Sequence, residues 1–137
     1  MLMSPWVDMT VSNATFQTNH DSEAFFYQEV VQALASAYLA GGDPKDPLAS
    51  PLYADLSGLP PTCIQVAGDE TLLGESLQLE QTPATPAWDV QLEVFPGQLH
   101  TFQMAAGYAP EADGAIRKLA SWVRPKLGLI QPQAVNR

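Results

Sequence analysis

Two short runs of strand-type residues, each ending in a glycine-bearing loop and separated by one helix's length of chain, constrain this sequence most. The first, Thr62-Cys63-Ile64-Gln65-Val66-Ala67, stops at Gly68. The second, 89–95, alternates Val90, Leu92 and Val94 and runs into Pro96-Gly97. Between them, 70–81 carries Leu72, Leu73, Leu77 and Leu79, a helical set of apolar positions. Consecutive strands joined through a helix lie parallel, with a right-handed crossover.

The remainder extends this alternation. Met1-Leu2-Met3 reads as a short apolar strand, and 10–22 as a polar loop. The segment 24–40 predicts a helix whose apolar face is Val30, Val31, Leu34 and Tyr38. Asp21 or Ser22 is placed to cap its start, and Gly41-Gly42 to stop it. Pro44, Pro47, Pro51, Pro60 and Pro61 keep 43–61 out of regular helix or central strand, so an ordered connection is expected. A last helix over 110–124 places Ile116, Leu119, Ala120 and Val123 on one face, with Pro110 in its first turn and Pro125 ending it. Strand and helix thus alternate three times, an α/β architecture with three parallel strands and flanking helices. The organisation expected is one domain portion over 1–127 and a polar tail over 128–137.

Charge excludes several functions. Six Lys and Arg stand against 15 Asp and Glu, a formal charge of −9. Phosphate neutralisation needs many cations on one face, so nucleic acid is not an expected partner. No stretch has the length of a transmembrane helix, and no basic segment precedes an apolar one at the N-terminus. The single cysteine, Cys63, lies in an apolar run and reads as a buried, inert thiol. With no disulfide and no leader, a cytoplasmic location is expected. Asn13-Ala14-Thr15 reads as a chance glycosylation match. Two histidines eighty positions apart and one cysteine do not make metal-ligand spacing, and no glycine-rich phosphate loop is present, so no metal and no cofactor is expected.

The chemistry-bearing residues are Asp69 and His100. Each follows the carboxyl end of a strand, the edge at which open parallel sheets bind ligands. A carboxylate on one imidazole nitrogen fixes the tautomer and leaves the other nitrogen to take a proton from a nucleophile. Blander roles stand beside this one: Asp69-Glu70 as helix-capping acids, and His100 as a loop filler. His20, between Asn19 and Asp21, reads as a solvated loop histidine.

Several phrases in order resemble one family. Ser4-Pro5-Trp6-Val7-Asp8-Met9-Thr10, Asp46-Pro47-Leu48-Ala49-Ser50-Pro51-Leu52 and Gly58-Leu59-Pro60-Pro61 are three of them. Gly68-Asp69-Glu70 with Leu72-Leu73, and Phe95-Pro96-Gly97 with His100 and Phe102, are the others. Together they resemble the C-terminal part of α/β-hydrolase fold-3 proteins, the hormone-sensitive-lipase-like esterases, over about residues 3–127. The resemblance implies an eight-stranded sheet of which this chain supplies the last three strands. It implies Asp69 as triad acid, His100 as triad base, and ester hydrolysis through an acyl-serine.

The departures are equally specific. The family's Gly-x-Ser-x-Gly nucleophile elbow and upstream His-Gly-Gly oxyanion motif are absent from these 137 residues. Serines 4, 12, 22, 36, 50, 57, 76 and 121 all lack the glycine-flanked turn. The segment 82–88, with two prolines, replaces the end of a helix. Three readings follow. The chain is part of an esterase that acts on small ester substrates once the missing part is supplied; or it is an inactive module that pairs through the bare edge of its first strand; or it is a small binding protein using the cleft between the two loops.

Overall fold

The computed structural model describes residues 1–82 and 88–129. Most of the 82–88 segment, and the expected polar tail from 130 on, lie outside the described residues. The chain divides into two compact units, 1–102 and 103–137.

The first unit holds a three-stranded parallel sheet in the order β1 (Leu2–Met3), β2 (Thr62–Ala67), β3 (Val90–Phe95). Every residue of β2 is buried, as a strand flanked on both sides requires. Register places Leu2, Ile64 and Leu92 in one row across the sheet. That row builds a core with Val7, Leu56 and Leu79, the last from the crossover helix α3 (Leu73–Glu80). Ile64 is fully buried; truncating such a side chain to Ala costs about 2–5 kcal/mol through lost transfer energy and an unfilled cavity. The next row, Met3, Gln65 and Glu93, belongs to the opposite face. There the buried Gln65 donates from Nε2 to Glu93 Oε2 at 2.9 Å, so its amide is not stranded.

A second core joins α1 (Thr15–Thr18) and α2 (Gln28–Leu39) to the start of α3. Val11, Phe16, Val31, Ala35 and Leu72 are its buried members. The expected face of α2 is corrected here. Val31 is buried, but Val30, Leu34 and Tyr38 are 43%, 46% and 67% exposed, and Ala35 takes the second buried position. Val31 and Ala35 are one turn apart and about 100° around the axis from Val30 and Leu34. The helix therefore carries two apolar stripes, and only the one reaching Phe16 and Leu72 is packed.

The start of α2 is corrected as well. It begins at Gln28 after Tyr27, with no side-chain cap from Asp21 or Ser22. The preceding residues are held elsewhere: Glu23 Oε1 accepts the N–H groups of Ala24 and Phe25, both at 2.8 Å, which keeps 23–26 out of the helix. Its end comes at Ala40, left-handed at φ 48°, followed by Gly41 at φ 91°. Within the polar loop a single helical turn, α1, forms over Phe16. Asn13 is buried, with Nδ2 donated to Glu75 Oε1 at 3.3 Å, so its amide is committed inside the fold.

The second unit contains α4 (Pro110–Lys126). Pro110 stands in its first turn as expected, while Asp113 Oδ1 accepts the Gly107 N–H at 2.7 Å just before the start. Pro125 does not end the helix but lies within its last turn. Leu127 and Leu129 donate back to Val123 and Arg124 carbonyls at 3.1 and 2.9 Å and close it. The buried stripe is Ala112, Ala115 and Leu119; Ile116, one residue and about 100° further round, is 37% exposed.

Candidate active site

The site sits where β2 and β3 end. Gly68 follows β2, and a Cβ there would stand 2.9 Å from Pro96 Cα. Only glycine lets the two loops come this close. Gly68 N–H donates to Phe95 O at 2.7 Å and Asp69 N–H to Gln98 O at 3.2 Å, so the loop after β2 is fastened to the loop that carries His100.

Fastening places two adjacent carboxylates differently. Glu70 is fully buried and turns inward; its Oε2 lies 3.5 Å from His100 Nδ1. Asp69 is half-buried, and its Oδ1 accepts the Gly97 N–H at 3.2 Å. Asp69 was the expected partner of His100; the carboxylate that faces the ring is that of the next residue, Glu70. Successive side chains past a strand end point to opposite sides, and Asp69 is drawn off by the Pro96-Gly97 turn.

The His100 side chain is 16% exposed and its Nδ1 is buried. The Phe26 ring packs against it edge-on, with centroids 4.5 Å apart. At 3.5 Å the ring nitrogen and Oε2 face each other beyond ordinary hydrogen-bond length; such pairs in unliganded enzymes commonly tighten in the reacting complex. Oε2 also accepts from Ser4 Oγ at 2.7 Å, and Glu70 Oε1 is buried with no hydrogen-bond partner among the described residues.

The segment 19–26 encloses the acid loop. Asn19 Nδ2 donates to Gly68 O and Glu70 O at 3.0 and 2.9 Å, and Ser22 Oγ to Asp69 O at 2.8 Å. Glu23 Oε2 accepts from Thr71 N–H and Oγ1 at 2.9 and 3.1 Å. Burial pushes the Glu23 carboxyl upward, but N–H groups of Thr71, Phe25, Phe26 and Ala24 outweigh it and hold its pKa below the ordinary value. The carbonyls of 68–71 and the N–H groups of Gly68, Asp69 and Thr71 thus have fixed partners, a condition for holding a catalytic side chain in place.

The first turn of α3 carries a second buried acid, Glu75. Its Oε2 accepts the N–H groups of Val7 and Asp8 at 2.7 and 2.8 Å. Burial, with help from Asp8, pushes its carboxyl up to about 7 against those donors and Asn13. It pins the chain that leaves β1 through Ser4.

His20 is not part of the site. It is exposed and paired with Asp21 at 3.2 Å. Cys63 is buried inside β2. Among the described residues no group of three His, Cys, Asp or Glu could hold a metal ion, and no helix is long and apolar enough to cross a membrane. Sequence reasoning did not single out Glu70, Ser4, Asn19, Glu23 or Phe26 for the site. Only Glu70 had a signal, its place beside Asp69 on the same loop.

The family model described as the alpha/beta hydrolase fold matches residues 1–104. An acetyl-hydrolase of Streptomyces hygroscopicus is 34% identical over 92% of this chain and 42% of its own length. An esterase of Acinetobacter venetianus is 34% identical over 89% of this chain and 41% of its own. A crystal structure of an esterase from the bacterial hormone-sensitive lipase family superposes with a TM-score of 0.88 at 39% identity, over 93% of this chain and 43% of that one. The chain thus spans about two-fifths of the length of these relatives. A parallel three-stranded sheet, a histidine and buried carboxylate at its carboxyl edge, and relatives of this identity agree: the chain belongs to the α/β-hydrolase fold-3 family of hormone-sensitive-lipase-like esterases and corresponds to a C-terminal part of that fold.

Proposed function

We propose that this chain carries the acid and the base of a serine carboxylic-ester hydrolase, with His100 as base and Glu70 as the carboxylate behind it. The observation that carries the reading is the buried Glu70 Oε2 facing His100 Nδ1 at 3.5 Å. Asp69, the acid implied by family resemblance, serves instead to hold the base loop through the Gly97 N–H. The nucleophile and oxyanion donors are supplied from outside these 137 residues.

In the reaction His100 Nε2 takes the serine hydroxyl proton as the oxygen attacks the ester carbonyl carbon. The same nitrogen returns that proton to the departing alkoxide, leaving an acyl-serine and an alcohol. Water repeats the sequence and releases the carboxylic acid. Glu70 keeps the proton-bearing nitrogen of the ring on its own side and stabilises the imidazolium without being protonated itself. Phe26 and the burial of Glu70 exclude water from that side, which strengthens the pairing.

The test is p-nitrophenyl acetate hydrolysis by the chain alone and by the chain mixed with a separately expressed N-terminal part of a relative. The expected result is no turnover alone, turnover in the mixture, and its loss in His100→Ala. Turnover by the chain alone that survives His100→Ala would contradict the reading.

A second reading rests on β1. The outer edge of this strand pairs with no other among the described residues, and Met1 and Met3 are 59% and 39% exposed. Self-association through that edge is the non-catalytic alternative. Size-exclusion chromatography separates them, since a monomer at all concentrations would exclude strand pairing between copies.

A further inference from the structure

We infer that Ser4 is a positioning residue whose hydroxyl ties the acid to the base loop and aims Glu70 Oε2 at His100 Nδ1. The inference rests on the acid–base reading of Glu70 and His100 and goes beyond it.

The Ser4 hydroxyl is in the right place for both halves of the tie. Oγ donates to Glu70 Oε2 at 2.7 Å, and it accepts the N–H of Thr101, the residue after His100, at 3.4 Å. Ser4 is itself buried and donates its N–H to Gln65 O at 2.8 Å, which anchors it to β2. One hydroxyl thus links the ends of all three strands. Ser4 is not a nucleophile, because it bonds the acid on the Nδ1 side of the ring, and the reacting proton belongs to Nε2.

Backbone geometry supports the same assignment. Ser4 and Thr101 both lie in the left-handed region, at φ 45° and 53°. That conformation is disfavoured for non-glycine residues and most of all for a β-branched threonine. Strained residues persist where the surroundings fix them and cluster at functional sites. Here the two that flank the pair are joined to each other through the Ser4 hydroxyl.

Freedom in Glu70 explains why a tie is needed. Oε1 has no hydrogen-bond partner among the described residues, so Ser4 is the side chain that selects which oxygen faces the ring. Without it the carboxylate can rotate, and a 1 Å misplacement of a catalytic group costs about 10²-fold in rate.

The tautomer of His100 reads this directly in the chain as it exists. Two-bond ¹H–¹⁵N spectra of the imidazoles, recorded where the rings are neutral, distinguish a proton on Nδ1 from one on Nε2, with His20 as internal reference. In the wild type His100 carries its proton on Nδ1. Glu70→Met, close in size and without a strong acceptor, loses that preference. Ser4→Ala loses most of it, and Ser4→Cys, which keeps a weak donor, is intermediate. Ser4→Gly removes the hydroxyl while relaxing the left-handed backbone, so the test stands even where Ser4→Ala does not fold. A wild-type tautomer retained in Ser4→Ala and Ser4→Gly but lost in Glu70→Met overturns the role of Ser4 and leaves the acid–base reading intact. A tautomer indifferent to Glu70→Met overturns both.

Discussion

Replacing Glu75 by Gln should flatten the pH dependence of stability between the acid and neutral ranges. Glu75 is fully buried, and its carboxyl is pushed up to about 7 by burial and by Asp8, from an ordinary 4.5. In the unfolded chain the proton leaves near 4.5; in the fold it leaves only near 7. The fold is therefore the tighter proton binder between those values. This contribution to stability is fully present below the unfolded value and is lost as pH rises through the folded one. At about 1.4 kcal/mol per tenfold change, the separation corresponds to roughly 3 kcal/mol. Gln keeps the size and an acceptor for the Val7 and Asp8 N–H groups but does not titrate. Urea unfolding of both proteins, followed by tryptophan fluorescence from about pH 4 to pH 8, gives the difference in stability at each pH. The wild type should lose about 3 kcal/mol relative to Glu75→Gln across that window. A difference that stays constant, or that favours the wild type as pH rises, would refute the argument that Glu75 is held protonated by burial.

Three further predictions follow from the site's supports. Gly68→Ala should cost about 1–3 kcal/mol in thermal or urea unfolding, since the added Cβ meets Pro96 backbone at 2.9 Å and the loops must part. Glu23 behaves oppositely to Glu75: its folded pKa is lowered, so its contribution is present above the ordinary carboxylate value and is lost as pH falls through the folded one. Glu23→Gln should therefore make the chain less sensitive to acid, as read by the midpoint of an acid-unfolding titration. Cys63, 1% exposed within β2, should stay unmodified by a thiol reagent until the chain unfolds; stoichiometric labelling of the native protein would contradict its burial.

Much of this was legible in the residues. Alternation in 90–95, the apolar run 62–67 and the leucines between them were enough for two parallel strands and a crossover helix, because period and length settle those elements locally. His100 was equally legible, since its place past a strand end depends on chain order alone. What escaped depends on three-dimensional commitments. The stripe Val30, Leu34 and Tyr38 has the same periodicity as a core face, yet the packed face is set by where Phe16 and Leu72 lie. Helix α2 starts four residues later than the apolar pattern because Glu23 is bonded into the acid loop. The choice between Asp69 and Glu70 was invisible for a similar reason. Two adjacent acids look alike in sequence, and only the Gly97 N–H and Ser4 hydroxyl sort one outward and the other inward.

The central claim is that Glu70, rather than Asp69, is the carboxylate behind His100. Its most direct test compares Glu70→Gln with Asp69→Asn in the reconstituted p-nitrophenyl acetate assay, at saturating substrate. The account predicts that kcat falls about 10²- to 10⁴-fold in Glu70→Gln and by less than about tenfold in Asp69→Asn, whose amide oxygen still accepts the Gly97 N–H. The reverse order, with Asp69→Asn the more damaging, would contradict it.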